Sequence, residues 1–229
     1  MSLDLIVVDD AEKASRRAGE LLAEAAHDGG HIALSGGKSP ELAHETAARL
    51  QPDWSRVELW WGDERCVPPD DERSNYAMAK RTLLDRVEIP PAAVHRIRGE
   101  VEPEAAAAEY DEALRGVRLR INILGIGPDG HTASLFPHSP GLHERERLAV
   151  AAESGLEPFV PRVTMTPPML ANADCVLFVA TGEQKADAVK RAFEEPPSDE
   201  TPASRIRSRD GQTFVVLDAA AASKLERSI

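Results

Sequence analysis

The sequence predicts an α/β fold: a doubly wound, mostly parallel, Rossmann-like sheet with helices on both faces. Short apolar runs rich in β-branched residues alternate with helix-like stretches along the chain. Runs such as Val176–Val179 are apolar at every position, which suits parallel strands buried on both sides. The 229 residues suffice for one well-packed domain, and no repeat or long linker divides them. We therefore expect a single α/β domain over residues 1–229.

The predicted elements follow one another in regular alternation. The apolar runs predict six strands, which are Leu5–Val8, His31–Leu34, Val57–Trp61, Leu119–Leu124, Cys175–Ala180 and Phe214–Leu217. The stretches between them predict five helices, which are Ala11–Ala26, Pro40–Leu50, Ser74–Leu84, Glu102–Arg115 and Gln184–Phe193. Weaker patterns indicate two more strands, Leu148–Ala151 and Val163–Met165, and a surface loop at Glu194–Pro202. In such sheets ligands bind at the carboxyl ends of the strands, so the residues that follow each strand matter most.

Composition excludes several classes of function. A net charge of −12 argues against nucleic acid or an anionic membrane surface as a partner. The longest apolar run, Cys175–Ala180, has six residues, far fewer than the roughly 18 of a membrane span. The N-terminus lacks a signal-peptide pattern, and we expect a cytoplasmic protein. Neither the two cysteines nor His131, His138 and His143 have the spacing of metal ligands, so no metal site is predicted.

Two strand ends carry groups that suit an anion. After the second strand, Ser35–Pro40 places Gly36, Gly37 and Ser39 before a helix, where free N–H groups favour phosphate. An ordinary turn with Ser39 as helix cap explains the same residues. After the third strand comes Gly62-Asp63-Glu64-Arg65, where the Arg65 guanidinium either holds an oxyanion or pairs with a neighbouring acid.

A third group that suits an anion follows the most apolar strand. Lys185, in Thr181-Gly182-Glu183-Gln184-Lys185, falls in the first turn of the predicted helix. The helix dipole disfavours a cation there, and an anion bound between the ammonium and the helix start would explain it. A solvated lysine is the alternative.

The segment Gly125–Pro137 contains the candidate catalytic residues. Gly125, Gly127 and Gly130 match a dinucleotide fingerprint formally, but Pro128 and Pro137 leave no room for the long helix that such a motif opens. In this turn Asp129 and His131 flank Gly130, so both can face a ligand. A histidine beside a carboxylate is a plausible general base, and a turn histidine with a capping aspartate is the alternative.

At this point the sequence resembles the 6-phosphogluconolactonases, within the larger group of sugar-phosphate isomerases and deaminases. The matching blocks cover nearly the whole chain in the family's order, and they are Leu34–Gly37, Trp61–Arg65, Ser74–Tyr76, Gly125–Pro137, Arg162–Thr166, Thr181–Lys185 and Pro202-Ala203. The chain departs from the family at Glu153–Leu156, at His138, where a glycine is common, and at Phe214, where tryptophan is usual.

The resemblance implies hydrolysis of 6-phospho-D-glucono-1,5-lactone to 6-phosphogluconate in the oxidative pentose phosphate pathway, without a cofactor. It implies that His131 activates water, with Asp129 orienting it, and that Arg65 and Lys185 anchor the phosphate. The residues expected to line the substrate pocket are Gly36, Gly37, Ser39, Gly130 and Thr132. The expected partner is the phosphorylated lactone alone, and the protein is expected to be a monomer or small homo-oligomer.

Two other functions are weighed against this one. A glucosamine-6-phosphate deaminase typically has Met-Asp-Glu-Tyr where this chain has Gly62–Arg65, and it continues the histidine turn differently from Thr132–Leu135. A non-catalytic sugar-phosphate sensor usually adds a DNA-binding module, for which this acidic chain shows no segment. Both comparisons favour the lactonase.

Overall fold

The computed structural model describes residues 2–226. Its main sheet is built from six strands, which are β1 (Ser2–Val8), β2 (Gly30–Leu34), β3 (Val57–Trp61), β5 (Leu119–Leu124), β8 (Ala173–Ala180) and β9 (Gln212–Asp218). All six pair in parallel, in the order β1-β9-β8-β5-β2-β3. Each contains a predicted strand, and the α/β prediction with a parallel sheet is confirmed.

The helices lie between the strands and pack against the sheet and each other. They are α1 (Ala11–Asp28), α2 (Lys38–Leu50), α3 (Asn75–Thr82), α4 (Pro103–Ala113), α5 (Pro167–Leu170) and α6 (Ala186–Phe193). Asp10 caps α1 by accepting a hydrogen bond from the Lys13 amide. The helix predicted from Gln184 begins at Ala186, after a 3-10 turn over Glu183–Lys185. Among residues 2–226 no helix has the length and apolar character to cross a membrane.

Three short strands form a second, antiparallel sheet in the order β4-β7-β6. They are β4 (Asp63–Arg65), β6 (Ala149–Ala152) and β7 (Arg162–Met165). The two weaker strand predictions correspond to β6 and β7, whereas β4 was not predicted. Gly62 joins the sheets, because its amide donates to Leu34 O at 2.8 Å and its carbonyl accepts from the Met165 amide at 2.8 Å. This junction brings the second sheet to the carboxyl ends of the parallel strands.

One buried core runs through both sheets. Val176–Ala180 are fully buried, as expected for a central strand, and Val163 and Met165 of β7 belong to the same cluster. The two sheets therefore share one hydrophobic core.

The chain reverses direction across the main sheet between β2 and β5. From β2 the chain continues to β3 at one edge, while β5 leads towards β8 and β9 on the other side. Ligands of doubly wound sheets bind at such a switch point, outside the carboxyl ends of the two strands. The glycine turn after β2 and the histidine turn after β5 therefore meet at one crevice.

Candidate active site

A cavity of about 210 Å³ occupies this crevice. Five of the residues predicted for the site line it, namely Gly36, Gly37, Arg65, His131 and Lys185. They come from the segments after β2, β5 and β8 and from the end of β4. Residues about 150 positions apart in the chain, such as Gly36 and Lys185, thus share one pocket.

His131 and Asp129 form a hydrogen-bonded pair at this cavity. The ring Nδ1 lies 2.6 Å from Asp129 Oδ1, and the same oxygen accepts from the His131 amide at 3.1 Å. Burial opposes ionisation of Asp129, but the hydrogen bonds and charge of His131 outweigh it, so the pKa of this carboxyl lies below its usual value. An ionised Asp129 accepts the Nδ1 proton, which leaves Nε2 as the basic nitrogen of the neutral ring.

The histidine turn is fastened to the second sheet. The Ser134 hydroxyl donates to Asp63 Oδ2 at 2.6 Å, and the Ser134 amide donates to Thr164 Oγ1 at 3.2 Å. The ring of Phe136 lies against His131, with centroids 4.9 Å apart. These contacts hold the imidazole in one place, which a positioned base requires.

The glycine turn after β2 approaches its neighbours closely. A Cβ on Gly36 would lie 2.1 Å from Asn75 Oδ1, so a side chain has no room there. Gly37 has a φ of +100°, a left-handed value that glycine adopts without strain, and it caps α2. The turn therefore presents bare backbone and the N-terminus of a 13-residue helix to the cavity.

Arg65 reaches the cavity without an acidic partner among residues 2–226. Its guanidinium donates to the Arg73 carbonyl, and its Nε is buried and has no hydrogen-bond partner in the same part of the chain. The adjacent carboxylate, Glu64, is engaged elsewhere, since it accepts from the amides of Arg65, Asn75 and Tyr76 at 2.7, 2.7 and 2.8 Å. Among residues 2–226 the Arg65 guanidinium therefore forms no ion pair with an acid of its loop, which was the alternative expectation.

Lys185 is a second cation without an ion pair among the described residues. It precedes α6 directly, and burial lowers the pKa of its ammonium, an effect that the charge of Asp218 partly offsets. The Asp218 carboxylate itself accepts from the Gly182 and Ala221 amides. A desolvated ammonium at this position favours an anion in the cavity.

Three residues that were predicted to line the pocket are not among the described residues that line the cavity, and they contact neighbouring turns instead. The Ser39 hydroxyl is 2.7 Å from Thr181 Oγ1, which links the start of α2 to the turn that carries Lys185. Thr132 is buried and donates to Gly125 O, and Gly130 has a φ of +93° and packs on Thr201. All three shape the turns around the cavity, and their contact with a substrate stays a prediction.

Sequence reasoning missed three polar residues that line the cavity, namely Asp63, Asn75 and Arg162. Asn75 is buried and donates to Asp63 O at 2.9 Å and to Asp63 Oδ1 at 3.2 Å. All three residues stand in sequence blocks that match the family, but none of them was predicted for the site. The missing information was the pairing of β4 with β7, which no local pattern reveals.

The turn after β5 does not open a helix. Residues 125–139 contain only turns and one isolated bridge, between Thr132 and Leu135. A dinucleotide fingerprint needs a helix whose N-terminus receives the pyrophosphate. The glycines here instead serve the histidine turn, and no three His, Cys, Asp or Glu side chains of residues 2–226 group as metal ligands.

The fold and the site together define a class: an α/β protein with a histidine–carboxylate pair and free cations at the switch point of a parallel sheet, suited to a small anionic ligand. The family described as glucosamine-6-phosphate isomerases/6-phosphogluconolactonase matches residues 8–215. The chain belongs to this family.

Individual members of the family are similar to the chain over most of its length. The chain is similar to a 6-phosphogluconolactonase of Haemophilus influenzae, 40% identical over 203 residues, which covers 83% of this chain and 85% of the relative. A human 6-phosphogluconolactonase is 39% identical over 206 residues, with 85% and 80% covered. The solved 6-phosphogluconolactonase of Trypanosoma brucei superimposes with a TM-score of 0.86 at 25% identity, covering 98% of this chain and 99% of that one.

Proposed function

We propose that the chain is an ester hydrolase that converts 6-phospho-D-glucono-1,5-lactone to 6-phosphogluconate, a step of the oxidative pentose phosphate pathway. The hydrogen bond of 2.6 Å between His131 Nδ1 and Asp129 Oδ1, at a cavity lined by free cations, is the observation that carries it. The lactonase relatives support the same reaction.

In the proposed first step, His131 Nε2 takes a proton from a water whose oxygen attacks the lactone carbonyl. Asp129 keeps the Nδ1 proton in place and stabilises the imidazolium that forms. The carbonyl oxygen becomes an alkoxide, and positive groups and backbone N–H donors around the cavity offset its charge.

In the second step the tetrahedral intermediate collapses. The bond from C1 to the ring oxygen breaks, and the imidazolium returns its proton to that oxygen, which becomes the C5 hydroxyl. The carbonyl re-forms as a carboxylic acid at C1, which releases its remaining proton to solvent and becomes the carboxylate of the product. A lactone is an activated ester, so a base, water and positioning suffice for the reaction.

Arg65 and Lys185 are the proposed phosphate anchors, with Gly36 and Gly37 presenting backbone to the same group. Neither cation has a carboxylate of its own among the described residues, which leaves both free for the ligand. An acidic protein with net charge −12 needs such local anchors to hold a dianionic phosphate. We further propose a cytoplasmic monomer or small homo-oligomer that has no nucleic-acid or membrane partner.

The decisive experiment is a proton-release assay with freshly prepared 6-phosphogluconolactone, compared with the spontaneous rate. Hydrolysis well above that rate supports the proposal, and a catalytically dead His131→Ala variant that folds like the parent ties it to this site. If the parent only matches the spontaneous rate, the proposal is wrong. Glucosamine 6-phosphate, followed by ammonia release, is the control substrate, and we expect no turnover of it.

A further inference from the structure

Arg162, the first residue of β7, is a buried cation that the proposed mechanism does not use. The residue lines the cavity, yet it is only 4% exposed. Among residues 2–226 no carboxylate oxygen lies within ion-pair distance of it. Its hydrogen bonds go from Nε to Val160 O at 3.2 Å and from Nη2 to Pro158 O at 3.0 Å and Ser154 Oγ at 3.3 Å. A guanidinium buried in this way is unfavourable unless something else compensates its charge.

Arg162 also faces a second arginine directly. In the antiparallel pair of β4 and β7, Arg65 and Arg162 are register partners. Side chains of directly opposed residues lie on the same face of the sheet, and like charges in that arrangement destabilise it. Both residues line the same cavity. Burial, together with the charge of Arg65, lowers the pKa of the Arg162 guanidinium, and the charges of Asp63 and Glu64 offset this in part.

The carboxylates of Asp63 and Glu64 lie nearby but do not offset the repulsion between the two arginines through direct ion pairs, because both are engaged by other donors. Asp63 accepts from the Ser134 hydroxyl and the Asn75 amide, and Glu64 accepts the backbone amides at the start of α3 together with the Ser74 hydroxyl. Two cations on one face of the sheet, with no carboxylate of the described residues in contact, therefore line one cavity. A dianion with several acceptor oxygens is the ligand chemistry that such a pair fits, since guanidinium groups bind phosphate in a forked manner.

We propose that Arg162 is a further substrate-binding residue, which grips the phosphate group jointly with Arg65 and so favours phosphorylated lactones over unphosphorylated ones. This rests on the proposed function, because the phosphate belongs to the proposed substrate. The binding step makes and breaks no covalent bond. Bound phosphate replaces the repulsion between the two guanidinium groups by attraction to both.

The test measures dissociation constants by calorimetry for inorganic phosphate and for 6-phosphogluconate, in the parent and in Arg162→Gln and Arg162→Lys. Losing one charge-assisted contact should weaken both ligands roughly ten- to a hundredfold in Arg162→Gln. Arg162→Lys, which keeps the charge but not the fork, should recover part of the loss. Should Arg162→Gln fail to fold, Arg162→Lys still shows a deficit if the fork binds phosphate.

Ser154→Ala is the matched control, since it removes a contact of the same guanidinium with the preceding loop and leaves the cavity lining intact. It should bind phosphate as the parent does. Kinetics separate positioning from a general structural role: KM for 6-phosphogluconolactone should rise by the same factor while kcat changes little. Unchanged phosphate affinity in folded Arg162→Gln would overturn the proposal. Because phosphate binding needs no turnover, this result stays readable even if the lactonase assay fails.

Discussion

Gly127 lies directly against the imidazole of His131. A Cβ added at Gly127 would stand 2.0 Å from His131 Nδ1, 2.2 Å from Cε1 and 2.6 Å from Asp129 Oδ1. Nδ1 and Oδ1 are the two ends of the proposed catalytic hydrogen bond. The absence of a side chain at Gly127 is therefore what allows Asp129 and His131 to meet within a five-residue turn, closed by the Gly127 amide on His131 O at 2.9 Å.

We predict that Gly127→Ala displaces the imidazole and lowers kcat by at least about 100-fold, the typical result of shifting a catalytic group by about 1 Å. Overpacking should also lower the free energy of unfolding by roughly 1–3 kcal/mol. Steady-state kinetics and urea unfolding measure the two effects. Gly125→Ala is the control for folding, because its Cβ would meet nothing within 4 Å. Parent-like turnover in Gly127→Ala would mean that the pair does not act as proposed.

Replacing the two members of the pair should separate their roles. His131→Gln removes the base and should lower kcat by roughly 10²- to 10⁴-fold with little change in KM. Asp129→Asn keeps a side chain of the same shape but removes the negative charge, and its kcat should lie between that of the parent and His131→Gln. Proton-release kinetics on the three proteins test this order. If Asp129→Asn is as inactive as His131→Gln, the carboxylate does more than orient the ring.

The lowered pKa of Lys185 gives phosphate binding a distinct pH dependence. As the pH rises through this pKa, which lies below the usual 10.5, the ammonium loses its charge and affinity for 6-phosphogluconate should fall. The ligand's phosphate is already a dianion above about pH 7, so it does not titrate in this range. Lys185→Met should bind roughly tenfold more weakly at pH 7, and its difference from the parent should shrink as the pH rises through the lowered pKa of Lys185. Calorimetry from pH 7 to above the usual lysine pKa of 10.5 decides, and a parent affinity that falls no more than that of Lys185→Met would argue against Lys185 as an anchor.

The sequence allowed the main sheet and the centre of the site to be predicted, for physical reasons. Strands buried on both faces must be apolar at every position, and the run Val176–Val179 shows this plainly. Parallel strands bring their carboxyl ends together, so Gly36, His131 and Lys185 were expected to meet before any contact was known. Local chemistry and strand topology were sufficient for these residues.

The remaining parts depend on contacts that no local pattern encodes. All three residues of β4 are charged and the strand has no apolar periodicity, so neither the strand nor its pairing with β7 could be predicted. Arg162 enters the site only through that pairing. Ser39 was expected in the pocket because of its residue type, but its hydroxyl forms a hydrogen bond with Thr181. This contact depends on the packing of two turns that are distant in the sequence.

Acid should destabilise the protein through His44 on α2. Its ring is completely buried, neither nitrogen has a hydrogen-bond partner among the described residues, and burial lowers its pKa from 6.5 to about 3. Below pH 6.5 the imidazole of His44 becomes protonated in the unfolded chain, whereas in the folded protein it stays neutral until the pH approaches about 3. Stability is therefore complete above that pH and falls by up to about 1.4 kcal/mol for each unit below it. His44→Leu should remove roughly 2 kcal/mol of the loss between pH 7 and pH 5 in urea unfolding. Identical pH slopes in the two proteins would contradict this assignment.

His138 holds a backbone conformation that suits glycine. Its φ is +59°, and its amide donates to Asp199 O at 3.1 Å. A left-handed φ costs a residue with a side chain about 1–2 kcal/mol, and glycine avoids this cost. Glycine's extra freedom in the unfolded chain lowers the free energy of unfolding by about 0.5–1 kcal/mol and so cancels part of the gain. His138→Gly should therefore raise the free energy of unfolding by roughly 0.5–1 kcal/mol and leave the amide hydrogen bond in place. His138→Ala, which keeps the unfavourable φ but lacks the imidazole, should show no such gain in thermal unfolding. If alanine stabilises as much as glycine, the effect belongs to the side chain and the backbone argument fails.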